Sequence, residues 1–148
     1  MEILRTSLRL IFLQLGLSFA PILYGGVDKT LVSWVILEDT SVQAGSILTL
    51  QNDSEFDGIV FGELMENKWM AGSDNWKRSE KNQKKYPDKN SEAGSLVQIA
   101  IVYQKNLISI FRDGNPYASH TAKNIDLLSK ENNFAVFGKR HMLSLIHI

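Results

Sequence analysis

The sequence contains no cysteine, carries no net charge and has no apolar run long enough to predict a transmembrane helix. The missing cysteine excludes disulfides, thiolate metal sites and cysteine nucleophiles. Sixteen basic and sixteen acidic residues cancel, so no overall electrostatic field favours nucleic acid as a partner. The histidines are His120, His141 and His147, and neither their spacing nor the serine contexts indicate a zinc site or a serine hydrolase.

The N-terminal segment, residues 1–26, is apolar and admits two interpretations. Arg5 and Arg9 precede an apolar run from Leu10 to Ala20, which is the layout of a secretory signal peptide. Pro21 makes a poor cleavage context, however, and residues 17–24 also suit a first strand with the proline at an edge or bulge. Both interpretations stay open, and only the first brings the chain to a membrane.

Beyond residue 27 the pattern is one of short strands separated by turns, within a chain of 148 residues that suits one domain. The predicted strands are 30–37, 46–50, 58–63, 68–73, 95–103, 106–114, 117–122 and 133–139. Asp113-Gly114 is a strong tight-turn pair between two of them. Strands at intervals of about 8–12 residues predict an all-β sandwich or barrel.

Residues 75–94 interrupt this pattern with a polar, lysine-rich stretch. A basic patch of this kind can meet phosphate, but no basic strand or series of stacking aromatics accompanies it. We therefore predict a solvated loop and no nucleic-acid site.

Glu55, Asp57 and Glu63 raise the question of catalysis by carboxylates. A retaining glycosidase needs two carboxyl groups about 5 Å apart. Glu55 and Asp57 begin such a series, but Ile59 and Val60 occupy the positions where the closing glutamate is needed, so the two acids are interpreted as turn residues. Glu63 would lie about 20 Å from Asp57 on a regular strand, too far to act with it. The sequence predicts no enzyme, with a glycan hydrolase as the alternative.

Acidic residues near predicted turns raise the question of calcium, which needs only clustered oxygen ligands. Asp53, Asp57, Asp74 and Asp113 are so placed, although aspartates are also common turn formers. We expect no cofactor, with calcium as the open alternative and its ligands unassigned.

The three tryptophans are the side chains that a sugar-binding surface would use, because a flat indole stacks on the apolar face of a pyranose. Trp34 has apolar neighbours on both sides, and Trp69 lies beside Met70, so both are predicted to pack in the core. Trp76 leads into the polar segment and is predicted to be exposed. The candidate ligand-binding residues are Asp74, Asn75, Trp76 and Arg78.

Three stretches, "KTLVSWVIL" (29–37), "QAGSILTLQ" (43–51) and "LVQIAIVYQKNLISIFRDGNPYAS" (96–119), resemble strands of one superfamily. That superfamily is the laminin-G-like, concanavalin A-like jelly roll, and in the comparison Asp113, Gly114 and Tyr117 match its "nGepy" turn. "FDGIVFGELMENKWMAGSDNWKRS" (56–79) and "FAVFGKRH" (134–141) resemble, more closely, modules of large planctomycete-type bacterial proteins.

The resemblance implies an antiparallel jelly-roll β-sandwich over residues 27–141. It also implies a non-catalytic, secreted or cell-envelope module that binds carbohydrate or another protein, in some members with calcium. Leu96 replaces the usual tryptophan, and "MLSLIHI" (142–148) replaces the closing strand. We therefore expect a fragment of a larger exported protein that lacks its last strand or strands and carries a tail of doubtful origin. A glycan hydrolase and a purely structural spacer are the alternatives.

Overall fold

Eight β-strands organise the part of the chain that the structure, a computed structural model, describes: residues 28–39, 45–52, 54–88, 93–123 and 133–138. Both the N-terminal segment 1–26 and the tail 142–148 lie outside these residues. The strands are β1 Lys29–Ile36, β2 Gly45–Asn52, β3 Glu55–Phe61, β4 Trp69–Ser73, β5 Leu96–Gln104, β6 Leu107–Arg112, β7 Asn115–Thr121 and β8 Phe134–Phe137. Two 3-10 turns follow β4, at Asp74–Trp76 and Gln83–Lys85. All eight predicted strands are confirmed, with bounds that differ by a few residues.

The strands form two antiparallel sheets of four. The first sheet has the order β1-β5-β6-β7 and the second has the order β4-β3-β2-β8. Asp113 and Gly114, with φ of 50° and 77°, make the left-handed turn that joins β6 to β7, as their sequence predicts. Every pairing is antiparallel, which fits the short connections that join β2, β3 and β4 and those that join β5, β6 and β7.

The core lies between the two sheets, and alternate residues of each strand enter it. Leu31 and Val35 enter from β1, Ile99 and Ile101 from β5, and these meet residues of β3 and β4 from the second sheet. There the rings of Phe61 and Trp69 lie 4.7 Å apart between centroids, in a tilted arrangement. The fold is therefore a β-sandwich, and the prediction that Trp69 packs in the core is confirmed.

The prediction that Trp34 lies in the core is wrong, because 53% of its surface is exposed. In β1 the residues that face the second sheet are Leu31, Ser33 and Val35, whereas Trp34 alternates with them and points outward. Apolar residues on both faces of β1 hid this alternation in the sequence.

The two outer faces of the sandwich differ in exposure. On the second sheet the outward residues Thr49, Phe56, Val60 and Met70 are all buried. Backbone and side chains also approach closely on this face: a Cβ added to Gly72 would lie 2.5 Å from Cγ2 of Val60. On the outer face of the first sheet Trp34 is exposed, whereas the central residues Ala100 and Val102 are half-buried.

No helix within the described ranges combines the length and the apolar character that crossing a membrane requires.

Candidate functional site

The candidate site is built on the closing segment, residues 74–88, which leaves β4 and contacts one edge strand of each sheet, β4 and β7. Next to β4, the Gln83 side chain donates to the sulfur of Met70 at 3.3 Å. Next to β7, Nε2 of His120 donates to the carbonyl of Arg78 at 2.8 Å. Residues 75–94 were predicted to be a solvated loop, and this is wrong for Arg78, Gln83 and Tyr86, which are buried. The exposed lysines of the closing segment, by contrast, agree with the prediction.

Tyrosine hydroxyls reinforce the closing segment. The hydroxyl of Tyr117, in β7, donates to the carbonyl of Pro87 at 2.7 Å and accepts the backbone N–H of Trp69 at 3.1 Å. The hydroxyl of Tyr86 lies 3.1 Å from Nδ1 of His120. Since Nε2 of that ring faces a carbonyl, Nδ1 is the acceptor in the neutral ring. These bonds tie one loop to both sheets.

Arg78 is the centre of a buried ion-pair cluster. It donates from Nε to Oδ1 of Asp57 and from NH2 to Oδ1 of Asp74, each at 2.7 Å, and from NH2 to the carbonyl of Phe56 at 3.0 Å. Lys29 Nζ lies 2.5 Å from Oδ2 of Asp57, as an ion pair that falls outside hydrogen-bond geometry. Asp57 was interpreted as a turn residue, which is wrong: it lies within β3, faces inward and is fully buried.

Burial and charge act in opposite directions on the pKa values of this cluster. Desolvation works against the charge on Arg78, but Asp57 and then Asp74 outweigh it and raise the pKa of the guanidinium above its ordinary value. Burial likewise favours the neutral form of Asp74, yet the hydrogen bond from Lys77 and the contacts with Arg78 hold its pKa below the ordinary value. Arg78 and Asp74 therefore stay charged although they are removed from water.

Tyr103 lies beside this cluster, with its ring centroid 4.9 Å from Nζ of Lys29. Burial raises the pKa of its hydroxyl well above the usual value, Asp57 adds to the effect, and Arg78 opposes it. Within the described part of the chain, the Tyr103 hydroxyl has no hydrogen-bond partner.

The turn after β4 has an unusual backbone. Asn75 and Trp76 are consecutive non-glycine residues with positive φ, 48° and 52°. Each such residue costs on the order of 1–2 kcal/mol. The hydroxyl of Ser73 accepts the backbone N–H of Arg78 at 2.9 Å, and together with the Asp74 and Arg78 ion pair it holds the turn in place. Strain that the surroundings maintain in this way is typical of functional positions.

The strained turn presents Trp76 to solvent, with 38% of its surface exposed, so its predicted exposure is confirmed. Its indole Nε1 donates to Oε1 of Glu63 at 3.2 Å. Nζ of Lys81 lies 5.7 Å from the indole centroid, within reach of a cation–π contact. The indole of Trp76, the carboxylate of Glu63 and the ammonium group of Lys81 therefore lie next to one another on the surface.

The four candidate residues divide into two pairs. Asn75 and Trp76 are exposed, whereas Asp74 and Arg78 are buried and hold the turn from beneath. Sequence reasoning missed Lys81 as a neighbour of Trp76 and considered Glu63 only as a second catalytic carboxylate. Glu63 is 13 residues from Trp76 in the chain, and no local pattern indicates that the two meet.

The aspartates considered for calcium are engaged elsewhere. Asp57 and Asp74 face Arg78, and Asp113 accepts the backbone N–H of Gln98 at 2.8 Å. Asp53 lies outside the described residues. Among the residues that are described, no three histidine, aspartate or glutamate side chains are grouped so as to hold a metal ion.

No protein-family model matches the chain, and no curated protein shows significant similarity to it.

Proposed function

We propose that this chain is a non-catalytic binding module that recognises carbohydrate through Trp76, on a sandwich of the laminin-G-like jelly-roll type. The observation that carries the proposal is an exposed indole on a strained turn that a buried ion-pair cluster holds in place. The jelly-roll assignment draws on the resemblance of the sequence. The two sheets, between which the chain passes after β1, β4 and β7, are compatible with it. A secreted or cell-envelope setting goes with the same resemblance.

Each exposed group has a role in such a site. The indole of Trp76 stacks on the apolar face of a sugar ring, while Asn75, Glu63 and Lys81 offer hydrogen bonds to its hydroxyl groups. Because the turn is already held by Asp74 and Arg78, little conformational freedom is lost when the ligand binds. Preorganisation of this kind favours measurable affinity from a small contact.

The same geometry gives no support to a glycan hydrolase, the alternative that the sequence leaves. Asp57 is held by Arg78 and Lys29, and Glu63 accepts a hydrogen bond from the indole of Trp76. A binding site for another protein at Trp76 and a purely structural spacer are the remaining alternatives, and the experiment below separates both from carbohydrate binding.

The test is a glycan array, with and without calcium, probed with the wild-type chain, Trp76→Ala and Phe134→Ala. Phe134 is a matched control because it is a similarly exposed aromatic, at 40%, on a distant strand. We expect binding by the wild type and by Phe134→Ala, and a loss of about tenfold or more in Trp76→Ala, as for a central aromatic contact. Unchanged binding in Trp76→Ala overturns the site. No binding to any glycan by a folded wild type overturns carbohydrate recognition and favours a protein partner or a spacer.

A further inference from the structure

Lys29 and Asp57 connect the two sheets, because Lys29 begins β1 of the first sheet and Asp57 lies within β3 of the second. Nζ of Lys29 lies 2.5 Å from Oδ2 of Asp57, closer than the about 2.7–2.9 Å of a charge-assisted hydrogen bond. The contact also falls outside hydrogen-bond geometry, and Oδ2 has no hydrogen-bond partner in the part of the chain that the structure describes. The amine is therefore placed against the carboxyl group without donating a hydrogen bond to it.

The amine nitrogen is also close to the carboxyl carbon. Because a C–O bond of this kind measures about 1.2 Å, Nζ of Lys29 lies within about 3.7 Å of Cγ of Asp57. Reacting atoms held ready for attack are about 3–3.5 Å apart, and such placement is equivalent to a concentration of about 10⁵–10⁸ M. The pair is thus near the distance at which an amine attacks a carboxyl carbon.

The protein shields this contact from water. The side chain of Asp57 is fully buried, and only 13% of the side chain of Lys29 is exposed. The ring of Tyr103 covers the amine, with its centroid 4.9 Å from Nζ. Removing two charges from water is unfavourable, whereas an amide in the same place carries no charge. Burial therefore favours an amide over the ion pair and protects that amide from hydrolysis.

Arg78 distinguishes the two oxygens of the Asp57 carboxyl group. Its Nε donates to Oδ1 at 2.7 Å, whereas Oδ2 faces the amine of Lys29. Attack by the amine would place negative charge on Oδ1, and the guanidinium stabilises that charge as an oxyanion hole does. Oδ1 is therefore the oxygen that stays as the amide carbonyl, and Oδ2 is the one that leaves.

We propose that Lys29 and Asp57 form an intramolecular isopeptide bond that cross-links the two sheets. A bond forms between Nζ and Cγ, and the bond between Cγ and Oδ2 breaks. Two of the three ammonium protons leave with Oδ2 as water and the third stays on the amide nitrogen, so no further reactant is needed. The bond gives a chain without cysteine a covalent cross-link that restricts the unfolded state. This inference goes beyond binding at Trp76 and does not rest on it.

A second ion pair provides an internal control. Nζ of Lys68 lies 2.6 Å from Oδ1 of Asp88, which is nearly the same distance, but here the lysine donates a hydrogen bond to the carboxylate. The side chain of Asp88 is also 77% exposed. Because water reaches this carboxylate, nothing favours its condensation, and we expect no amide between these two residues.

The experiment is intact-mass spectrometry of the denatured whole chain, for the wild type, Lys29→Arg and Lys68→Arg. Arginine keeps the positive charge but stays protonated and is no nucleophile. We expect the wild type and Lys68→Arg to be lighter than their sequences by one water, and Lys29→Arg to show no such loss. Comparison of the three chains cancels any mass change that they share, and circular dichroism checks that each is folded.

Peptide mapping of the wild type locates the bond. Trypsin cuts after a free lysine but not after an acylated one, so residues 10–68 should stay in one peptide. A second digestion, after Glu38 and Glu55, should leave the fragment that contains Lys29 attached to the one that contains Asp57. Because the map needs only the wild type, it decides the proposal even if Lys29→Arg does not fold.

Two results would overturn the inference. A folded wild type at its full sequence mass, cut by trypsin after Lys29, shows that the contact is a salt bridge only. A loss of one water that persists in Lys29→Arg points instead to a succinimide at an Asp-Gly pair such as Asp57-Gly58, which leaves Lys29 open to trypsin.

Discussion

Arg78 donates from Nε to Oδ1 of Asp57 over 2.7 Å, and both side chains are almost completely buried. The two residues lie 21 positions apart, one in the closing segment and the other in β3. Arg78 is the one buried cation of the closing segment, and Asp57 neutralises it. This polar, lysine-rich segment can therefore pack against the sandwich. The pairing also fixes the backbone two residues beyond Trp76, so the cluster supports the candidate site without contacting a ligand.

Replacing Arg78 by methionine should strongly destabilise the fold. The change leaves Asp57 and Asp74 buried without their main partner, and breaking a buried pair in this way typically costs about 3–5 kcal/mol. Urea unfolding followed by tryptophan fluorescence measures the loss.

The matched control for this variant is Lys84→Met, an exposed lysine of the same segment, which should change the free energy of unfolding by less than about 0.5 kcal/mol. A cost below about 1 kcal/mol for Arg78→Met would show that the cluster is not a major support.

Asp74 predicts a specific dependence of stability on acid. Although burial opposes its charge, Lys77 and Arg78 hold its folded pKa below the ordinary value, so the ionised form is favoured in the folded state. Its contribution is therefore fully present above the unfolded pKa and is lost as the pH falls through the lower, folded pKa. The difference in unfolding free energy between wild type and Asp74→Asn should be largest near pH 7 and shrink below about pH 4. A difference that stays constant down to pH 2 contradicts the assignment.

Two buried tyrosines should respond in opposite ways to loss of the hydroxyl. Tyr117→Phe removes the acceptor of the Trp69 N–H and the donor to Pro87, and should cost about 1–3 kcal/mol. Tyr103→Phe removes a buried hydroxyl that has no partner among the described residues, and should be neutral or stabilising at pH 7. Thermal unfolding of both variants compares them directly.

Tyr103 also predicts behaviour in alkali. Because burial raises its folded pKa above the unfolded value near 10, its contribution is present below pH 10 and is lost as the pH rises further. Tyr103→Phe should therefore lose less stability than the wild type between pH 9 and roughly pH 11. A loss of stability between pH 9 and roughly pH 11 as large as that of the wild type contradicts this interpretation.

Gly72 should not tolerate a side chain unless the side chain of Val60 is made smaller. A Cβ at Gly72 would lie 2.5 Å from Cγ2 of Val60, and forcing this overlap should cost about 1–3 kcal/mol. The double variant Gly72→Ala, Val60→Ala should recover part of that cost, which a double-mutant cycle detects as a coupling of about 0.5 kcal/mol or more. Strict additivity would show that the strain has another source.

The strands could be predicted from local pattern, because turn residues such as Asp113-Gly114 and β-rich runs are properties of short stretches. The exposure of Trp76 was predicted correctly for the same reason, since it enters a polar segment. Trp34 was not, because the face that a strand buries is decided by its pairing with strands far along the chain. The partnership of Arg78 with Asp57 was hidden for the same reason: a buried ion pair between a strand and a loop leaves no spacing in the sequence that indicates it.

The closing segment determines how β4 and β7 unfold locally. Its bonds reach β4 through Gln83 and β7 through His120 and Tyr117, so neither edge strand can detach without breaking them. We expect the amide proton of Trp69, which bonds to Tyr117, to exchange with solvent as slowly as amides in the middle of either sheet. An edge strand normally frays first, but here the loop joins β4 and β7, one edge strand of each sheet, into a single cooperative unit. We expect a ligand bound at Trp76 to slow the amide exchange of these two strands.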